Sequence, residues 1–245
     1  MISAVILGGG NGINESSSKA LADINGKSMI EYVIDAFKSV EEISKIVVVG
    51  PKKELSGILH DKVDVIIEGG GSIIDSIING IQSVGEHDFA LIASADIPMI
   101  TKEAIEDFIG KCKKSGADFC YPIVDKKIND QKHPEIKRTY IKTRQGNFTG
   151  GNILYINVNE FRKGKAIGQR FFEARKNPVK LASIMGVGPV LGLLTGNLSV
   201  SSLEKKFSKA LGIKAKAIIT EYTEIGNDVD KESDLAYVRE YLLHK

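Results

Sequence analysis

The chain has 245 residues, 42% of them hydrophobic and 26% charged, a balance that suits a globular protein with a substantial core. A formal net charge of +2 argues against a dedicated nucleic-acid-binding face, and no apolar run approaches the roughly 20 residues that span a bilayer. The N-terminal apolar run has no charged leader and is broken by glycines, so the expectation is a cytoplasmic protein of one domain, residues 1–245.

Ile2 to Leu7 reads as a strand buried on both faces, because apolar residues run on with little alternation before Gly8-Gly9-Gly10-Asn11-Gly12. Glycine amides can approach an anion closely and adopt the positive φ values that an amide cradle needs. The turn therefore reads as a phosphate site, with Lys19 supplying a full positive charge; a tight turn without a ligand fits the same residues. The dinucleotide fingerprint fails, since its third glycine falls on Ile13 or Glu15, and the P-loop fails because its first glycine falls on Leu21.

Met29 to Phe37 carries apolar residues at helical spacing. Ile46–Val49 is a second buried strand, 52–60 a short helix, and 63–67 a third strand that ends in Glu68-Gly69-Gly70-Gly71-Ser72. An amphipathic helix over 73–84 and a fourth strand over 89–93 follow. This alternation predicts parallel strands with right-handed crossovers, so Gly8 to Gly12, Glu68 to Ser72 and Ser94-Ala95-Asp96 should share one rim. Asp96 stands just beyond its strand, with Pro98 holding the chain extended, which suits a metal ligand; Thr101 is the better cap for a helix over 102–114.

After a strand over 117–122 the pattern changes. Residues 125–146 are polar and basic, with a strand predicted over 138–142; in an extended chain Arg138, Lys142 and Arg144 would share one face. An acceptor-binding insertion at 126–147 and a charged edge that resists aggregation fit equally well. Phe148-Thr149-Gly150-Gly151-Asn152 reads as a third glycine turn before a strand over 153–156. Helical segments should fill 158–211, as pieces over 161–175, 179–194 and 202–211, before a last strand over 216–220 and a helix over 231–243. Cys112 and Cys120 suit neither a metal site nor a disulfide framework, and the four histidines have no ligand-spaced partners.

The motif order resembles the MobA-like nucleotidyltransferase family. The residues that carry it are Leu7-Gly8-Gly9-Gly10-Asn11-Gly12-Ile13-Asn14, Lys19, Gly26-Lys27-Ser28-Met29, Asp96-Ile97-Pro98, and Asp228-Val229-Asp230 with Asp234-Leu235. Asn14 stands where that family has an arginine. The resemblance implies a three-layer α/β/α sandwich of the GT-A type around a mostly parallel, mixed sheet. It also implies transfer of a nucleoside monophosphate from a triphosphate to a small acceptor, with Mg²⁺ as cofactor and release of pyrophosphate.

On that resemblance Lys19 and Asp96 are the catalytic candidates, and Asp96, Asp228 and Asp230 the metal ligands, with capping of the last helix an equal alternative for Asp230. Asp96 and Asp228 would reach one rim if the strands before them are neighbours. Leu7, Gly8, Gly9, Gly10, Asn11 and Gly12 would bind the nucleotide together with Glu68, Gly71, Ser72 and Ser76. Arg138, Lys142, Arg144, Gly150, Gly151 and Asn152 would bind the acceptor. A phosphate monoester acceptor is already ionised at neutral pH and needs no general base. A glycosyltransferase using a nucleotide sugar and a non-catalytic nucleotide-binding module are the competing readings. No nucleic-acid or membrane partner is expected, and the assembly would be a monomer or homodimer.

Overall fold

A computed structural model describes residues 1–10, 18–85, 88–174 and 195–244, with single positions between 175 and 194. Its centre is a nine-stranded mixed sheet. Strands β1 (Ile2–Leu7), β4 (Ile43–Gly50), β5 (Val65–Glu68) and β6 (Phe89–Ser94) are parallel neighbours in the order β5-β4-β1-β6. Next comes β10 (Ile153–Asn157), antiparallel to both β6 and β7 (Phe119–Asp125), and β11 (Ala215–Thr220) closes that side parallel to β7. A hairpin of β8 (Ile141–Thr143) and β9 (Gly146–Gly150) hangs from β7 through β9. A separate two-stranded ribbon joins β2 (Asp23–Ile24) to β3 (Lys27–Ser28).

The near-continuous apolar strands follow from burial on both faces. In β1, Ile2, Ala4 and Ile6 enter one core and Val5 the other; in β4, Ile46 and Val48 oppose Val47 and Val49. The first core is covered by α1 (Met29–Lys38), α2 (Lys52–Leu59) and α4 (Lys102–Ser115), the second by α3 (Ile73–Ser83) and the start of α6 (Val158–Ala174). Three layers result. Helix α3 lies so close that a Cβ on its Gly80 would come within 2.3 Å of Val5 Cγ1. A third apolar cluster joins Ile24 and Met29 to Leu235 and Val238 of α8 (Glu232–Leu243).

Two expectations for the middle of the chain are corrected. Helix α5 (Lys126–Lys132) occupies the start of the polar insertion, capped by Asp125, whose side chain accepts from Lys127 N at 2.7 Å. The strand expected over 138–142 is instead the three-residue β8, and Arg138 lies outside it in irregular chain. The expected glycine turn at 148–152 is for the most part β9, paired with β7 through Phe148, Thr149 and Gly150. Only the Gly151-Asn152 link bends, where β9 gives way to β10. The helix expected over 179–194 lies outside the described residues apart from scattered positions, whereas α7 (Val200–Leu211) matches its expected segment closely. Cys112 and Cys120 are free and buried. No helix among the described residues is long and apolar enough to cross a membrane.

Candidate active site

Parallel strands put their carboxyl ends on one edge, and here that edge collects the chemistry. Leu7, Gly50, Glu68 and Ser94 end β1, β4, β5 and β6 there, and the antiparallel β10 begins there. Backbone hydrogen bonds tie the loops together. Ala95 N donates to Leu7 O at 3.0 Å, Ser94 N to Asn152 O at 3.0 Å, Asn152 N to Ile225 O at 2.8 Å, and Val229 N to Asp96 O at 2.9 Å.

Strands β6 and β11 are not neighbours, as β10 and β7 separate them. The carboxylates meet because the chain turns back after β11. A short 3₁₀ helix, Thr223–Ile225, leads it across the top of β10, where Gly151 makes room: a Cβ there would lie 2.5 Å from Ile225 Cγ2. The following loop alternates, with Asn227 and Val229 buried and Asp228 and Asp230 carrying their carboxylates to the rim.

Asp96, Asp228 and Asp230 each bring one carboxylate oxygen within 4.8 Å of the others. Lys19 Nζ donates to Asp96 Oδ2 at 2.6 Å and to Asp230 Oδ1 at 3.1 Å. Ser94 Oγ donates to Asp96 Oδ1, Arg138 Nη1 donates to Asp228 Oδ1, and Asn152 Nδ2 reaches the same Asp228 oxygen at 3.3 Å. Burial pulls the Lys19 ammonium down, but Asp96 and Asp230 more than offset it, so its pKa is raised and it is a cation at neutral pH. The alternative role for Asp230 falls away, because Asp234 Oδ2 accepts from Asp230 N at 3.0 Å and Lys231 N at 3.2 Å and caps α8 instead.

The donor set fits a divalent cation of the Mg²⁺ kind. It consists of hard carboxylate oxygens, and among the described residues no hydrogen bond takes Asp228 Oδ2 or Asp230 Oδ2. Three carboxylates against two cations also leave one negative charge in excess.

Beside the cluster, Gly8 is buried while Gly9 and Gly10 are exposed. Gly8 N donates to Val49 O at 2.8 Å, Ser18 Oγ to Gly8 O at 2.7 Å, and Lys19 N to Gly10 O at 3.0 Å, so the turn is held at both ends. Asn11 and Gly12, and Asn14 at the position of the family arginine, lie outside the described residues. On the second glycine turn Ser72 caps α3 by accepting from Asp75 N at 3.1 Å, and Ser76 Oγ accepts from Gly70 N at 2.9 Å. Glu68 Oε2 accepts from Lys52 N at 3.3 Å. Ser72 and Ser76 thus build the loop itself, and Glu68 and Gly71 remain on the rim.

A cleft of about 290 Å³ opens on the other side of the carboxylates, lined by Tyr121, Arg138, Thr149, Gly150, Asn152 and Asp228 among others. Gly151 also borders it, as do Lys137, Thr139 and Asp230. Arg138, Gly150, Gly151 and Asn152 are thus gathered on one cleft. Lys142 and Arg144 are not: the Lys142 stem packs near Gly196, and Arg144 N donates to Leu198 O at 3.0 Å. The three basic residues do not share a strand face, because Arg138 precedes β8 and is drawn to Asp228. Sequence reading placed Ser94 on the rim and Thr149 in a turn without giving either a role, and gave Tyr121 none, since all three are hydroxyl-bearing residues within otherwise ordinary strands.

A mostly parallel sheet whose carboxyl rim holds a glycine turn, a half-buried lysine and an acidic cluster defines an α/β protein with its charged site at the strand ends. Residues 4–195 match the family model of the MobA-like NTP transferase domain, and the chain belongs to that family. It is 34% identical over 123 residues to a 2-C-methyl-D-erythritol 4-phosphate cytidylyltransferase of Clostridium perfringens, 46% of this chain and 55% of that protein. The chain thus spans about half the length of the curated relatives it matches. A solved hypothetical transferase from Thermus thermophilus superposes with a TM-score of 0.86 at 34% identity, covering 96% of this chain and 99% of that one. The 4-diphosphocytidyl-2C-methyl-D-erythritol synthase from Anaerococcus prevotii shares the fold, with a TM-score of 0.63 at 15% identity over 99% and 98% of the two chains. The architecture is therefore the GT-A-like nucleotidyltransferase sandwich. The acidic loop at 228–230 lies beyond the residues that the family model matches.

Proposed function

We propose that this protein transfers a nucleotidyl group from a nucleoside triphosphate to a small phosphorylated acceptor, with Mg²⁺ bound and pyrophosphate released. The observation that carries the reading is the meeting of Asp96, Asp228 and Asp230 with Lys19 beside the exposed Gly9-Gly10 turn. CTP is the nucleotide to test first, because relatives that match over 123 residues are named as cytidylyltransferases. Glu68, exposed at the end of β5, can accept from the cytosine amino group.

An oxygen of the acceptor phosphate attacks the α-phosphorus; that P–O bond forms, the bond from the α-phosphorus to the α,β-bridging oxygen breaks, and pyrophosphate leaves with that oxygen and the electron pair. Asp96, Asp228 and Asp230 would hold the metal, which when bound would supply positive charge against the phosphate oxygens. Lys19 sits between those carboxylates and the glycine turn, where its ammonium can follow charge onto the leaving group. Gly9 and Gly10 bring amides to the triphosphate. Arg138, Asn152 and the Tyr121 and Thr149 hydroxyls position the acceptor in the adjoining cleft, and a phosphate nucleophile needs no histidine base.

The test is pyrophosphate release from each common nucleoside triphosphate with a panel of phosphorylated polyols, with and without Mg²⁺. Mg²⁺-dependent pyrophosphate is expected from CTP. Release of a nucleoside diphosphate from a nucleotide sugar instead would replace this reading with glycosyl transfer.

A further inference from the structure

We infer that Arg138 anchors the acceptor phosphate and that Asp228 occupies Arg138 until its carboxylate is engaged elsewhere, so that the acceptor subsite opens only as the nucleotide-metal side fills. This rests on the transferase reading above and adds an order of loading to it. Arg138 lies in the irregular stretch between α5 and β8, with its side chain only 15% exposed. Its Nη1 is taken by Asp228 Oδ1, whereas its Nε is buried and has no hydrogen-bond partner among the described residues. A guanidinium offers five donors in a planar fork suited to two oxygens of one phosphate, so a single carboxylate contact leaves most of that capacity unused.

The cleft around Arg138 supplies further donors, the hydroxyls of Tyr121, Thr139 and Thr149 and the Asn152 amide. Its charged lining is balanced, with Lys137 and Arg138 against Asp228 and Asp230. A phosphate arriving at the resting cleft must therefore compete with Asp228 for Arg138. Once a cation shared with Asp96 and Asp230 draws on the Asp228 carboxylate, its hold on Arg138 weakens and the cleft becomes net positive. Coupling of this kind is reciprocal, so phosphate on Arg138 strengthens cation binding by the same factor.

The experiment is calorimetric titration of inorganic phosphate into the full chain without nucleotide. Asp228→Asn should bind phosphate about tenfold more tightly than the parent, within the usual range of such couplings. The double variant Asp228→Asn/Arg138→Gln should lose that gain, and saturating Mg²⁺ on the parent should reproduce it. If Asp228→Asn titrates like the parent, or its gain survives in the double variant, the inference is overturned. If Asp228→Asn does not fold, the parent with Mg²⁺ decides, and an unchanged phosphate affinity overturns it. Normal pyrophosphate release alongside uncoupled phosphate binding sinks the ordering alone, whereas no turnover with any common nucleoside triphosphate sinks the transferase reading.

Discussion

Lys19 sets the charge balance of the site, since one ammonium answers two carboxylates that would otherwise repel each other. Its pKa is raised in the folded chain, so its contribution to stability is complete below the ordinary lysine value and is lost as pH rises through the folded one. Between neutral pH and about pH 10 this contribution should not change. Replacing Lys19 with Ala should weaken triphosphate binding by about tenfold or more, because a charge-assisted contact is lost; equal affinities by titration calorimetry would remove Lys19 from the phosphate cradle. Asp96→Asn retains the shape and the Ser94 contact but loses a full negative charge. It should cut Mg²⁺-dependent pyrophosphate release by about a hundredfold or more while the circular dichroism spectrum is unchanged. Undiminished turnover would place the chemistry elsewhere.

At the scale of elements, contacts too close for a Cβ mark where packing is least forgiving. Gly80→Ala would drive a methyl into Val5 and should cost about 1–3 kcal/mol, read from the urea midpoint, despite the better helix propensity of alanine. Gly150→Ala would meet the Tyr121 hydroxyl at 1.8 Å. Because that collision falls on the cleft rather than the core, it should raise KM for the acceptor more than it lowers kcat. The elements legible in the sequence are those whose residues repeat their own period: β1, β4 and β6 as unbroken apolar runs, and α1, α3 and α4 as amphipathic stripes with clear caps. Helix α5 was not legible, because Ile128 is its one apolar residue and the side chain it buries is Asn129, a polar one. The position of Arg138 was equally hidden. It depends on a partner 90 residues away, and no local pattern records that attraction. The acidic pair at 228 and 230 could be recognised as a motif, but its route over two intervening strands could not.

For the molecule as a whole, ligand and proton both act as reporters of the folded state. A nucleotide at a hundred times its dissociation constant stabilises by about 2.7 kcal/mol, which for a chain of this size raises Tm by roughly 5–10 °C. CTP with Mg²⁺ should give such a shift, and Asp96→Asn should lose the part that requires Mg²⁺. In acid the chain should weaken partly through Glu31. Burial pushes its carboxyl up, but Lys62 and the Ser28 hydroxyl and amide pull it down further, so its pKa is lowered. Its contribution is therefore present at neutral pH and is lost as pH falls below about 4. Glu31→Gln should flatten the acid limb of a stability curve, and an unaltered limb would assign acid sensitivity to other groups.

The turn of chain that carries Asp228 and Asp230 back over β10 also fixes a sequence of events in time. Asp230 is translated 134 residues after Asp96. At ordinary rates of synthesis that is a wait of roughly 7–27 s. A nascent polypeptide can assemble β1, β4, β5 and β6 with their helices during that interval, yet it carries one carboxylate of the three. Until the last turn of chain emerges, Lys19 can face Asp96 alone, without Asp230.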